Sequence, residues 1–162
     1  GGFYTNSDDH IDVILKNIQY FDNVMPNANA VMISIFSKIN LITSDDKYIQ
    51  AQKKLINNFL TKVSNQYFGI SSFLKNSYLE NYNQLIIIAG KNKTQNEVVL
   101  DKVYKNYIDN IMVVMIDEKT QLDKGFKFYA NISINETTSI YVCKNNTCSL
   151  PFTNIDLLKE YL

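Results

Sequence analysis

The chain has 162 residues, 46% of them hydrophobic and 20% charged, and its Lys+Arg and Asp+Glu counts balance at 16 each, which suits one globular unit of ordinary make-up. A formal net charge of zero supplies no general field to gather nucleic acid or an anionic membrane, and the longest apolar runs are strand-sized, too short for a membrane span. One His, two Cys and no Trp make zinc, with its three or four Cys, His or carboxylate ligands, an unpromising expectation, whereas carboxylate and His acid–base chemistry stays open.

Residues 1–26 have no clear period. They carry turn formers, the cluster Asp8-Asp9-His10, and a brief apolar stretch at Ile11, Val13, Ile14 and Leu15, so an ordered loop, or a loop with a short helix, is expected there. Ala28, Val31, Met32, Ile35, Ile39 and Ile42 then recur at steps of three and four, the spacing of one helical face. Pro26 stands just ahead, where its missing N–H does little harm. Thr43-Ser44-Asp45-Asp46 breaks the pattern with N-cap chemistry and puts acidic side chains at the positive end of a second helix. That helix carries Tyr48, Ala51, Leu55, Ile56, Phe59, Leu60 and Val63 on one stripe, and the two together make an αα-hairpin. A third, weaker helical pattern, with Ile70, Phe73, Leu74 and Tyr78, runs to about Asn81.

The period changes near residue 83. Leu85-Ile86-Ile87-Ile88-Ala89, closed by Gly90, and Ile111-Met112-Val113-Val114-Met115-Ile116, closed by Asp117, are continuous apolar runs. Val99, Val103 and Tyr107 mark a helix between them, which predicts a buried parallel strand pair with a right-handed helical crossover. Residues 121–136 have no clear pattern beyond a short Phe126-to-Phe128 strand. A strand at Ser139 to Cys143 follows, then a turn at Lys144-Asn145-Asn146-Thr147. Thr153 or Asn154 is expected to cap a last helix with Leu157, Leu158, Tyr161 and Leu162 inward. The expected fold is α+β: a helical part over residues 1–83, then a small α/β subdomain over 84–162. No Pro- or Gly-rich linker separates them, so the two parts are expected to pack together.

Four groups of residues invite chemistry. A carboxylate from Asp8 or Asp9 on the His10 ring would fix its tautomer and raise its basicity, giving a general base or a holder of sugar hydroxyls; equally, the acidic pair ends a turn and His10 is an ordinary polar residue. Asp22, Asn27 and Asn29 present carboxylate and amide groups suited to a polyhydroxyl ligand, yet an Asn ahead of a helix also serves as its N-cap. Cys143 and Cys148, four residues apart, suit a hairpin disulfide or a pair of thiols, not the two-residue spacing of a redox site at a helix start. Ala89-Gly90-Lys91 has the place of a phosphate loop but one Gly where dinucleotide loops use three. The Asn-x-Ser/Thr matches at Asn92, Asn131, Asn135 and Asn145 carry meaning only in a secreted protein.

Taken together, Gly1-Gly2-Phe3 with Asp8-Asp9-His10, Tyr20-Phe21-Asp22-Asn23 with Pro26-Asn27-Ala28-Asn29-Ala30, and Ile140-Tyr141-Val142-Cys143 with Cys148-Ser149-Leu150-Pro151 resemble the C-terminal quarter of the thioredoxin-domain-containing proteins related to spermatogenesis-associated protein 20. The resemblance spans nearly the whole chain. It implies a parent with a thioredoxin-like domain and an α/α toroid similar to six-hairpin glycosidases and N-acylglucosamine 2-epimerases, of which this chain holds the last helices and an α/β extension. The family tends to have Gly at Asn23, Glu at Ile11 and a Ser-Gly-Asn-Ser-like run at residues 27–30. On the resemblance, His10 is a proton-transfer candidate with Asp8 or Asp9 as its orienter, and Asp22, Asn27 and Asn29 are sugar-hydroxyl ligands. It implies no cofactor, a cytoplasmic location, and the remainder of the parent chain as partner. The absence of an initiator Met leads to the same expectation of a fragment, inactive alone because a partial ring cannot enclose a substrate. A non-enzymatic scaffold that docks a partner is the alternative.

Overall fold

A computed structural model of the chain describes residues 2–9, 12, 14–63, 67–105, 110–118, 132–145 and 147–161. Helices and strands both occur, with α1 (Ala28–Thr43), α2 (Asp46–Lys62), α3 (Ser71–Leu79), β1 (Gln84–Ala89), α4 (Lys93–Lys105), β2 (Ile111–Ile116), β3 (Ser139–Lys144) and β4 (Thr147–Cys148). Two compact units result, one of Gly1–Asn40 with Asp45–Asn81, the other of Leu41–Ser44 with Tyr82–Leu162. No helix among the described residues is long and apolar enough to cross a membrane.

In the helical unit the described residues of the segment before α1 are loop, and the stretch allowed for a short helix lies partly outside the described residues. Ile14 and Leu15, read as an apolar stretch, are exposed, and the Ile11 and Val13 positions lie outside the described residues. The αα-hairpin forms, with the Asp45 carboxylate accepting the Lys47 N–H at 3.0 Å as the N-cap of α2. Its core is Ala30, Ile33, Leu55, Phe59, Val63, Ile70 and Phe73. Phe59 stacks on Phe73 with ring centres 4.6 Å apart and meets Tyr20 edge-on at 5.3 Å.

The buried stripe of α1 differs from the one its apolar spacing predicts. Ala30, Ile33, Ser37, Asn40 and Leu41 are buried, while Ala28, Val31 and Ile35 face outward. Helix α1 is apolar on more than one side, so spacing alone does not choose a face. Buried Asn40, which donates to the Asp45 carbonyl at 3.2 Å, shows that a polar residue can hold the inner face once bonded. In α2 the stripe holds at Leu55, Phe59 and Val63, but Leu60 is exposed and Gln52 takes an inner position, its Nε2 donating to the Ile33 carbonyl at 3.1 Å. Helix α3 stops at Leu79 and tightens into a 3-10 turn at Glu80–Tyr82.

The second unit is built on one four-stranded sheet in the order β2-β1-β3-β4. β1 and β2 are parallel, from Gln84 opposite Ile111 to Ala89 opposite Ile116, and α4 connects them. β3 runs antiparallel to β1, with Leu85 opposite Cys143 and Ala89 opposite Ser139. The sheet is therefore mixed, and β1 is covered on both faces. Leu85, Ile87 and Ala89 pack with Ile116, Ile132, Tyr141 and Cys143 on one face, and Ile86 and Ile88 with Val99, Val103, Ile140, Val142 and Leu158 on the other. This two-sided burial is why β1 reads as an unbroken apolar run instead of an alternating one. β2 is less buried than its equally apolar sequence predicts, and it stands at the edge of the sheet among the described strands.

Past β3, the expected turn carries Asn145 in the left-handed region at φ 52° and returns the chain as β4, a strand too short for any periodicity to announce. The last helix is a 3-10 helix, Ile155–Glu160, capped by Asn154, whose side chain accepts the Asp156 N–H at 2.9 Å. With three residues per turn its side chains eclipse. Leu158 points into the core, while Leu157 and Tyr161 remain over a third exposed, Tyr161 stacking on Phe152 at 5.5 Å. The expected Phe126-to-Phe128 strand, Tyr107 and Leu162 lie outside the described residues.

Candidate functional site

The residues expected to bind sugar hydroxyls lie in the helical unit, where the loop before α1 meets the starts of two helices. Helix α3 has no side-chain cap of its own, because Ile70 occupies its N-cap position. Asp22 supplies one from far along the chain: its Oδ2 accepts the Ser72 N–H at 2.8 Å and the Ser71 hydroxyl at 3.0 Å. This puts a carboxylate on donors that would otherwise be orphaned at the positive end of the helix. The other carboxylate oxygen, Oδ1, accepts the Asn27 N–H at 2.8 Å, and the Asp22 N–H donates to the Gly69 carbonyl at 2.5 Å. Gly69 is at φ +80°, a conformation that a side chain would strain. Burial works to raise the Asp22 pKa, but the Ser72 and Asn27 N–H groups, helped by the Ser72 and Ser71 hydroxyls, together outweigh it and hold the carboxyl below its ordinary value.

Asn27 is buried and acts as the N-cap of α1. Its Oδ1 accepts the Ala30 N–H at 3.1 Å, and its Nδ2 donates to the Phe21 carbonyl at 3.3 Å. Asn29, also buried, reaches back to the loop. Its Oδ1 accepts the Phe3 N–H at 2.6 Å, while its Nδ2 donates to the carbonyls of Phe3 at 3.0 Å and Gln19 at 3.3 Å. The geometry thus brings Asp22, Asn27 and Asn29 together and employs them on the chain's own backbone. Their polar groups fasten Phe3, Gln19, Phe21 and Asp22 to the starts of α1 and α3.

The acidic pair is placed differently. Asp8 is exposed and forms an ion pair with Lys16, whose hydrogen bond and charge hold the Asp8 carboxyl below its ordinary pKa. Asp9 is exposed, and His10 lies outside the described residues. Among the described residues no three His, Cys, Asp or Glu side chains converge as metal ligands would.

In the second unit Cys143 and Cys148 are joined by a disulfide. Of the alternatives left open by their spacing, the hairpin disulfide is the one present. The loop after β1 is filled from within. A Cβ on Gly90 would lie 2.8 Å from Thr138 Cα, so the glycine admits the close passage of the chain at 138. Asn96, fully buried at the start of α4, donates to the Gly90 carbonyl at 2.7 Å and accepts the Thr138 hydroxyl at 2.7 Å. Asn96 Oδ1 and the Thr138 hydroxyl would each lie 3.1 Å from a Cβ on Gly90, and Lys93 and Lys91 are ion-paired with Asp117 and Glu136.

Sequence reasoning did not find Ser71, Ser72, Asn96 or Thr138. Gly69-Ile70-Ser71-Ser72 does carry a helix-start signal, but the partner that completes it is far away in sequence. The chain matches no known family model and no curated protein.

Proposed function

We propose that this chain is a non-catalytic scaffold segment, forming the closing helices of a larger α/α toroid and an α/β extension, and that it docks with the rest of a thioredoxin-domain-containing parent. The observation that carries the reading is the employment of Asp22, Asn27 and Asn29. A sugar-binding amide or carboxylate keeps donors and acceptors for its ligand, whereas six side-chain N or O atoms here, two on each residue, are bonded to backbone or to Ser71. The αα-hairpin of α1 and α2 is the repeating element of such a toroid, and the resemblance supplies the rest of the architecture. Exposed Phe3, Tyr4, Ile14, Leu15, Val24 and Met25 on the loop before α1 suit contact with further helices of a parent. A cytoplasmic location goes with this reading.

The test is association and ligand stabilisation measured side by side. The chain, titrated calorimetrically with the remaining helices and thioredoxin-like domain of its parent, is expected to bind, and a panel of free mono- and disaccharides is expected to leave its melting temperature unchanged. A ligand at 100 times its Kd stabilises by about 2.7 kcal/mol, a shift no thermal assay would miss. Sugar-dependent stabilisation that disappears in His10→Ala, with no binding of the parent's remainder, would replace the scaffold by a carbohydrate site.

A further inference from the structure

The hairpin disulfide has three properties that bear on what it does. First, its register is made by the sheet. Cys143 lies directly opposite Cys148 in the antiparallel β3–β4 pair. At the neighbouring position the Ser149 N–H donates to the Val142 carbonyl at 2.8 Å, and the Val142 N–H donates to Ser149 Oγ at 3.1 Å. The cysteines therefore occupy the non-hydrogen-bonded position, where side chains on one face approach most closely. Second, the disulfide is not the sole tie holding this part of the sheet. β3 is paired along its length with β1, the Thr147 hydroxyl donates to the Lys144 carbonyl at 2.9 Å, and Ile140 and Phe152 exchange two backbone bonds at 2.8 and 3.1 Å. A disulfide closing so short a loop also removes little freedom from the unfolded chain. Third, the two ends are unlike. Cys143 is fully buried beside Leu85, Ile87 and Tyr141, whereas Cys148 is exposed.

From this we infer that Cys143 and Cys148 form a reversible dithiol–disulfide couple that exchanges electrons with an external dithiol, Cys148 being the sulfur attacked. A thiolate of the dithiol attacks Cys148 Sγ, and the bond to Cys143 breaks. The electron pair leaves on Cys143 Sγ, which takes a proton from water, and a mixed disulfide joins the dithiol to Cys148. The second thiolate of the dithiol then attacks its own partner sulfur in the mixed disulfide and releases Cys148, which is protonated in turn. The dithiol ends as a disulfide, oxidised by two electrons, and the hairpin holds two thiols. Because the sheet keeps them face to face, the reverse reaction needs no search. Neither cysteine sits at a helix start, where reactive thiols are commonly found, and the buried leaving sulfur slows attack, so the pair is a recipient of electrons more than a rapid oxidoreductase. The inference stands apart from the scaffold reading.

The experiment equilibrates the intact chain in dithiothreitol at graded ratios of reduced to oxidised reagent, without denaturant. Alkylation and mass spectrometry count the thiols, and circular dichroism follows the fold in the same samples. The expected result is full, reversible conversion to two thiols with an unchanged native spectrum and a melting temperature lower by only a few degrees. Peptide mapping of singly alkylated wild-type chain should find the label on Cys148 at least ~10-fold more often than on Cys143, in line with its exposure. In Cys143→Ser, oxidised glutathione should leave a stable mixed disulfide on Cys148. A bond that yields only in urea, reduction that abolishes the native spectrum, or equal labelling of the two sulfurs in the wild-type chain would each overturn the inference.

Discussion

Asp22→Asn keeps the shape of the side chain and removes its charge. In the folded unit the carboxylate accepts from the Asn27 N–H, the Ser72 N–H and the Ser71 hydroxyl. An amide retains one acceptor oxygen for the Asn27 N–H and turns an NH2 donor toward Ser71 and Ser72, which are themselves donors in the native arrangement. A hydrogen bond to a charged group contributes about 1.5–3 kcal/mol, so losing the Ser72 bond outright, while water replaces the exposed Ser71 contact, destabilises by about 2 kcal/mol after allowance for solvent screening. The chain has no Trp, so urea unfolding is followed by far-ultraviolet circular dichroism, which in the helical unit reports α1 to α3. With an m-value of roughly 1–2 kcal/mol/M for a unit of this size, the midpoint should fall by about 1 M or more. The sign of the pH dependence follows from the lowered folded-state pKa of Asp22. Its contribution is fully present above the unfolded value of about 3.9 and is lost as pH falls through the folded value. The gap between wild type and variant should therefore be complete at pH 7 and close in acid. Equal midpoints at pH 7, or a gap that does not change down to pH 3, would refute the capping role.

Asn29→Ala removes three hydrogen bonds to the loop, but Phe3 and Gln19 are exposed enough for water to replace them and Ala favours the helix. A net loss of about 1–2 kcal/mol is expected, with residues 3–19 becoming the first site of limited proteolysis; an unchanged digestion pattern would contradict the tether. Gly90→Ala sets a Cβ against the Thr138 backbone and should destabilise the second unit by about 1–3 kcal/mol, read from thermal melts. Asn96→Ala strands the Gly90 carbonyl and the Thr138 hydroxyl for about 2–3 kcal/mol. Adding Thr138→Val should recover part of that loss, and strict additivity of the two changes in a double-mutant cycle would show that the pair is not coupled.

The sequence announces the elements whose burial is one-sided or complete. β1 shows itself as an apolar run because side chains of both faces are covered, and α2 because Asp45 caps it and Leu55, Phe59 and Val63 follow at helical spacing. Where several physical solutions share one pattern, the sequence is less informative. Helix α1 has apolar residues around most of its circumference, and buried Asn29, Ser37 and Asn40 are legible only once their bonding partners are known. β1 and β2 have the same apolar character, yet which becomes an edge depends on where β3 inserts, a long-range pairing that no local signal encodes. Within the candidate site, the place of Asp22, Asn27 and Asn29 around the start of α1 is legible, since Pro26 and the helical apolar spacing that follows mark that start. Their employment is not, because Ser71 and Ser72 lie some fifty residues from Asp22 and the need for a cap arises from Ile70, a residue without a polar side chain.

The central claim is that the amide and carboxylate groups around Asn29 serve the chain's own backbone. Nuclear magnetic resonance of the Asn27 and Asn29 side-chain NH2 groups during titration with monosaccharides tests it most directly. Protected amide protons whose shifts stay fixed throughout the titration are the predicted result. Saturable shifts of those same resonances, with exchange protection changing as sugar binds, would contradict the account and return Asp22, Asn27 and Asn29 to a ligand site.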